Sequence, residues 1–190
     1  TVIPEKKALL QGSSTGGGKL FAQYLDKATT KMYQYDYDGT NEKEIKLPTT
    51  GNSSLVGGKK EDKTFFYTFT SFTYPVAIYQ YDVEKGTSEL FHQSELKFNP
   101  DDYESKQVFY KSKDGTEVSM FVVHKKGLKM DGKNPCYLYG YGGFNVSLSP
   151  GFSTSRMILL ENGGVFAMPN LRGGGEYGEE WHLAGTKTKK

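Results

Sequence analysis

The side chains that could do chemistry in this sequence fall in a few places. Gly12-Ser13-Ser14-Thr15-Gly16 has the G-x-S-x-G spacing of a serine nucleophile elbow. That elbow is a sharp strand-to-helix turn that lifts the hydroxyl clear of the backbone. Here Gly17-Gly18 follows, and then Leu20-Phe21-Ala22-Gln23-Tyr24-Leu25, which reads as a strand rather than a helix. The stretch is therefore expected to be a flexible loop and not an elbow. It also falls short of a phosphate-binding loop, because Lys19 is followed by Leu20 where that loop needs Ser or Thr. The single cysteine, Cys136, excludes an internal disulfide. Lying between Pro135 and Tyr137 at the start of an apolar strand, it is expected to be a buried packing thiol.

Two glycine turns remain. Tyr137-Leu138-Tyr139 runs into Gly140-Tyr141-Gly142-Gly143-Phe144, and Val165-Phe166-Ala167-Met168 leads to Arg172-Gly173-Gly174-Gly175-Glu176-Tyr177-Gly178. Between them, Thr154 to Leu160 reads as a short helix, with Ser153 or Thr154 as N-cap and Asn162-Gly163 as its stop. Met157, Leu160 and one of Ile158 or Leu159 would supply its buried face. Strand, loop, helix, strand, loop is how an α/β sheet is built, and such sheets carry their chemistry on loops at strand ends. Val165 to Met168 is apolar throughout, as expected of a strand covered on both faces. Gly142 and Gly143 let the backbone turn sharply between Tyr141 and Phe144. By residue type alone, Tyr141 is a packing tyrosine and Phe144 an ordinary core aromatic.

Upstream, the sequence repeats. Met32-Tyr33-Gln34-Tyr35-Asp36 is echoed by Ile78-Tyr79-Gln80-Tyr81-Asp82, and each copy soon reaches a Gly-Thr. A period of about 45 residues with Tyr-rich strands is that of a β-propeller blade, which has four strands. Ile45–Leu47, Ser54–Val56, Thr64–Phe69 and Val76–Tyr81 are expected to supply them, and Leu20–Asp26 precedes the first copy in the same way. Past the turn-rich joint at Phe98 to Asp102, Gln107–Tyr110 and Val118–His124 flank Asp114-Gly115, a strong hairpin signal.

Composition bounds the class. The 190 residues are 36% hydrophobic and 14% aromatic, with 14 Tyr and 12 Phe against one Trp, which favours strands and excludes wholesale disorder. A net charge of +2 gives no reason to expect nucleic acid or an anionic membrane as partner. No apolar run approaches the roughly 18 residues of a membrane span, and the opening residues are not expected to act as a signal peptide. The lysines from Lys187 to Lys190 read as a solvated tail. The expectation is a soluble, cytoplasmic protein. The opening on Thr1 and the stop at Lys190 read as a fragment of a longer chain.

Tyr139 to Asn145, taken with Asn170 to Glu179 and Trp181-His182, resembles the prolyl oligopeptidase family. Phe69-Thr70-Ser71-Phe72, Ser112 to Thr116 and Val123 to Gly127 extend the likeness upstream. The resemblance implies a mixed fold: the C-terminal blades of a β-propeller at residues 1–97, then the N-terminal part of an α/β-hydrolase peptidase domain at 98–190. It implies a serine peptidase that cleaves short peptides after proline, as a monomer and with no cofactor or metal. Tyr141 would be the oxyanion-hole donor, and Phe144 would line the proline pocket. No catalytic role attaches to Arg172 or Glu176, which would form a structural ion pair or brace a neighbouring loop.

By the same resemblance, the Ser-Asp-His triad lies downstream of these residues. His92, His124 and His182 are poor general bases, and the 190-residue chain is expected to be inactive alone, with exposed edges and poor stability. Two rival readings stand beside this one: a non-catalytic propeller-type module that binds a peptide or protein, and a carboxylesterase or acylaminoacyl-peptidase relative on the same fold.

Overall fold

A computed structural model describes residues 2–189. Among them, twelve strands form three four-stranded sheets. The first holds β1 (Leu9–Gly16), β2 (Lys19–Asp26), β3 (Thr29–Tyr35) and β4 (Lys43–Ile45), antiparallel and in chain order. The second repeats that order with β5 (Asn52–Ser53), β6 (Thr64–Thr70), β7 (Ala77–Asp82) and β8 (Thr87–Gln93). Strand β6 shows why: Phe65, Tyr67 and Phe69 are buried, while Thr64, Phe66 and Thr68 face out, a period of two on a pleated surface.

The two Tyr-Gln-Tyr copies lie on β3 and β7, the third strand of each sheet. They also touch. Tyr81 donates its phenol hydrogen to Gln34 Oε1 at 2.8 Å, and burial pushes that phenol up to about 12. Around them Phe21, Met32 and Ile45 of the first sheet meet Phe65, Tyr67 and Phe69 of the second in one core, with Phe21 edge-on to Phe65 at 5.7 Å.

Three strand expectations are corrected. Gly12 to Gly16 is part of strand β1, not a flexible loop: it pairs with β2 through a turn in which Gly17 (φ +56°) and Gly18 (φ +73°) take left-handed backbone. Ser14 sits within that strand and donates to the Val56 carbonyl. Strand β4 closes the first sheet on β3 rather than joining the strands that follow it. The second sheet takes its fourth strand from Thr87–Gln93 and its first from Asn52–Ser53 instead of Ser54–Val56.

The third sheet has the order β11-β12-β10-β9. β9 (Tyr103–Lys111) and β10 (Glu117–Lys125) form the hairpin around Asp114-Gly115, with Gly115 at φ +84°. β12 (Val165–Pro169) runs antiparallel to β10 and parallel to β11 (Cys136–Leu138). Helix α1 (Thr154–Glu161) makes the crossover that two parallel strands require. Ser153 is its N-cap, without a side-chain capping bond, and Asn162 with Gly163 (φ +76°) ends it. Met157 and Leu160 are buried, Leu159 packs against the same core, and Ile158 faces out. Every residue of β12 is buried between β11 and β10.

Cys136 is exposed, which overturns the expected packing thiol. Among the described residues strand β11 is the outermost of its sheet, and no strand pairs with Cys136, Tyr137 or Leu138 on the side away from β12.

The propeller-like half and the third sheet share a core. Ala28, from the β2–β3 turn, and Phe72, from the β6–β7 turn, are buried with Phe121, Val123, Met157, Leu160 and Phe166. Phe72 lies 5.2 Å from the Phe121 ring and 5.8 Å from Phe166, and Arg156 sits over Phe166 at 4.1 Å. Among the described residues no helix is long and apolar enough to cross a membrane.

Candidate active site

Because β11 and β12 are parallel, the two glycine loops leave the same end of the sheet. The first strand's pairing runs one residue on, as the Tyr139 N–H donates to Ala167 O at 2.9 Å, and then the chain turns. Gly142 adopts φ +61°, and a Cβ there would fall 2.5 Å from Leu171 Cβ and 2.8 Å from Arg172 O, so only glycine fits. Phe144 (φ +52°) and Asn145 (φ +57°) follow in the left-handed region. Non-glycine residues held there each store about 1–3 kcal/mol of strain and persist only when their surroundings over-determine them. Tyr141 is 45% exposed and Phe144 is 88% exposed. The turn thus presents a phenol and an apolar ring outward, on backbone that would not adopt this shape unaided.

The second loop lies directly against the first. The Asn145 N–H donates to Gly173 O at 3.0 Å. His182 also meets that carbonyl, through Nδ1 at 2.8 Å; a carbonyl only accepts, so Nδ1 carries the proton. Trp181 Nε1 donates to Leu171 O at 3.2 Å from helix α2 (Glu179–Leu183).

Arg172 and Glu176 do not pair with each other. Arg172 Nη1 lies 2.5 Å from Asp114 Oδ2 and 3.2 Å from Thr116 Oγ1, tying the loop to the β9–β10 turn. The Thr116 N–H and the Arg172 guanidinium hold the Asp114 carboxyl well down, at about 2. Glu176 is 1% exposed and accepts the Leu148 N–H on Oε1 at 2.8 Å. Of the two structural roles expected for this pair, each residue braces a separate loop.

Asn170, which the sequence offered only as the first residue of the second motif, and Ser119, which carried no signal, are buried and continue a chain of hydrogen bonds from Tyr177. Tyr177 donates to Ser119 Oγ at 2.7 Å, Ser119 to Asn170 Oδ1 at 3.0 Å, and Asn170 Nδ2 to Leu148 O at 2.8 Å. Burial raises the Tyr177 phenol.

The histidines are dispersed. His92 is on β8, exposed; His124 is on β10, with Nδ1 2.9 Å from Lys125 O and Nε2 3.5 Å from Glu104; His182 braces Gly173. Among the described residues, no group of three or more His, Cys, Asp or Glu could hold a metal ion. The arrangement sets a phenol and an apolar ring together on one glycine turn at a sheet end.

Two family models match this chain: "Prolyl oligopeptidase, N-terminal beta-propeller domain" over residues 1–94, and "Prolyl oligopeptidase family" over residues 150–190. A prolyl endopeptidase of Elizabethkingia meningoseptica is 52% identical over 93% of this chain and 25% of its own length. Prolyl oligopeptidase A of Galerina marginata is 38% identical over 100% of this chain and 26% of its own. A solved structure from a study of two prolyl endopeptidases superposes with a TM-score of 0.91 at 45% identity, over 99% of this chain and 28% of that one. Prolyl oligopeptidase B from Galerina marginata, bound to a 35mer hydrolysis and macrocyclization substrate, gives a TM-score of 0.90 at 35% identity over 99% of this chain and 27% of its own. The chain spans about a quarter of the length of the curated relatives it matches.

Proposed function

The chain belongs to the prolyl oligopeptidase family, and from that premise we propose that its parent enzyme is a serine endopeptidase cleaving short peptides on the carboxyl side of proline. In this reading residues 1–97 are the last blades of a β-propeller, and residues 98–190 are the first part of an α/β-hydrolase domain. The observation that carries it is the strained turn after β11, which presents Tyr141 and Phe144 together at a sheet end.

Attack on a peptide carbonyl puts negative charge on its oxygen. A phenol O–H fixed where that charge develops stabilises the transition state more than the ground state. Tyr141 is that donor. Phe144 offers a flat apolar wall, which suits the rigid ring of proline, while polar groups elsewhere fix the peptide's direction. Acyl transfer also needs an activated nucleophile and its base. In this reading both come from residues beyond 190, and the 190-residue chain by itself is expected to turn over nothing. No step calls for a metal or a cofactor.

The test is steady-state hydrolysis by the full-length enzyme of matched peptides with proline or alanine before the scissile bond. The proline peptide is expected to be strongly preferred. Phe144→Ala is expected to raise KM for it by about tenfold, the value of losing roughly 50 Å² of apolar contact at 25–30 cal/mol/Å². Equal turnover of both peptides, or an unchanged KM, would return Phe144 to the status of an exposed loop aromatic.

A further inference from the structure

The three glycines and the glutamate of the second loop have no part in the chemistry so far. We propose that this loop is the cradle that holds the Tyr141–Asn145 turn in its strained shape, and that Glu176 is a positioning residue for Tyr141 and Phe144. This rests on the reading of those two residues given above.

The strain at Phe144 and Asn145 has to be opposed by something, and the opposing contacts come from one loop. Asn145 hangs its N–H on Gly173 O at 3.0 Å. A Cβ on Gly174 would lie 2.8 Å from Val146 O, and one on Gly175 would lie 2.6 Å from Asn145 O. A Cβ on Gly173 would strike Gly142 O. Side chains at these positions would push the turn away, which accounts for three successive glycines.

Glu176 fixes the far side of the same segment. Leu148 has both backbone groups held: its N–H by Glu176 Oε1 at 2.8 Å, and its carbonyl by Asn170 Nδ2 at 2.8 Å. Asn170 Nδ2 also reaches Glu176 Oε1 at 3.4 Å. The segment from Asn145 to Leu148 is therefore pinned at both ends to one loop. Among the described residues, Glu176 Oε2 is buried without a hydrogen-bond partner. A sealed carboxylate with one oxygen unsatisfied is a net cost to folding. Such a cost is kept where geometry, rather than stability, is at stake.

The experiment uses the full-length enzyme and a proline peptide, with Glu176→Ala and Glu176→Gln each made alone and with Tyr141→Phe. Glu176→Ala is expected to lower kcat by about ten- to a hundredfold, the effect of about 1 Å of misplacement. In the Tyr141→Phe background it should cost less than about threefold, because the group it positions is already gone. Glu176→Gln keeps an oxygen for the Leu148 N–H and should restore kcat to within about threefold of wild type. Hydrogen exchange should quicken at Asn145 and Leu148 in Glu176→Ala while β6 and β7 stay protected, a readout that does not depend on turnover. If Glu176→Ala fails to fold, Gly175→Ala leaves the carboxylate in place and should give the same non-additive loss. An equal loss in both backgrounds, or unchanged exchange at Asn145 and Leu148, overturns the cradle. A wild-type enzyme that ignores proline peptides while those amides respond overturns the functional reading and leaves the cradle standing.

Discussion

Phe72→Ala would cut the most consequential contact between the two halves. Phe72 belongs by sequence to the β6–β7 turn, yet it is 1% exposed inside the core of the third sheet. Its ring meets Phe121 at 5.2 Å and Phe166 at 5.8 Å, with the Arg156 guanidinium 5.1 Å from its centroid. Truncating a fully buried phenylalanine costs about 3–5 kcal/mol, because transfer energy is lost and the cavity collapses only in part. At 1.4 kcal/mol per decade, that is about two to four orders of magnitude in the opening equilibrium. Hydrogen exchange on the full-length protein reads it directly: the amides of Leu160, Phe166 and Met168 should exchange faster by that factor, although the substitution lies in the other half. Phe66→Ala is the control. Phe66 is 49% exposed on the neighbouring strand and, among the described residues, meets one aromatic ring, Phe91 at 4.8 Å, so it should cost about 1 kcal/mol and leave β12 untouched. If Phe72→Ala quickens exchange in β6 and β7 alone, the shared core is wrong.

Two further predictions concern polar contacts. Asp114 should titrate by NMR with a midpoint of about 2, and in Arg172→Ala move up toward its ordinary 3.8. Its folded value is depressed, so its contribution to stability is present above about 3.8 and lost as pH falls through about 2. Tyr81→Phe leaves Gln34 Oε1 buried without the 2.8 Å donor between the two sheets, and should cost about 1–3 kcal/mol in urea unfolding of that half; no change in midpoint would mean the cross-sheet bond is idle.

How much of this was legible in the sequence depended on whether burial was local. The alternation of Phe65, Tyr67 and Phe69 marks β6 by itself, and the Tyr-Gln-Tyr repeat marks the equivalent strands β3 and β7. Gly12 to Gly16 carries no apolar period, because an edge strand of small polar residues is made by its partner, β2, and not by its own burial. Cys136 misled for the converse reason: an apolar strand reads as interior, whereas β11 lies outermost among the described residues. The glycine turns announced themselves. What holds them did not, because a glutamate between Gly175 and Tyr177 has every appearance of a surface residue until its carboxylate is found beneath Leu148.

The central claim is that the turn after β11 presents an oxyanion donor, and Tyr141→Phe in the full-length enzyme tests it most directly. The ring stays and the O–H goes. With a proline peptide, kcat should fall by about 10²–10³, the cost of losing one preorganised donor, while KM barely moves. A kcat within about threefold of wild type would contradict the account and remove Tyr141 from the site.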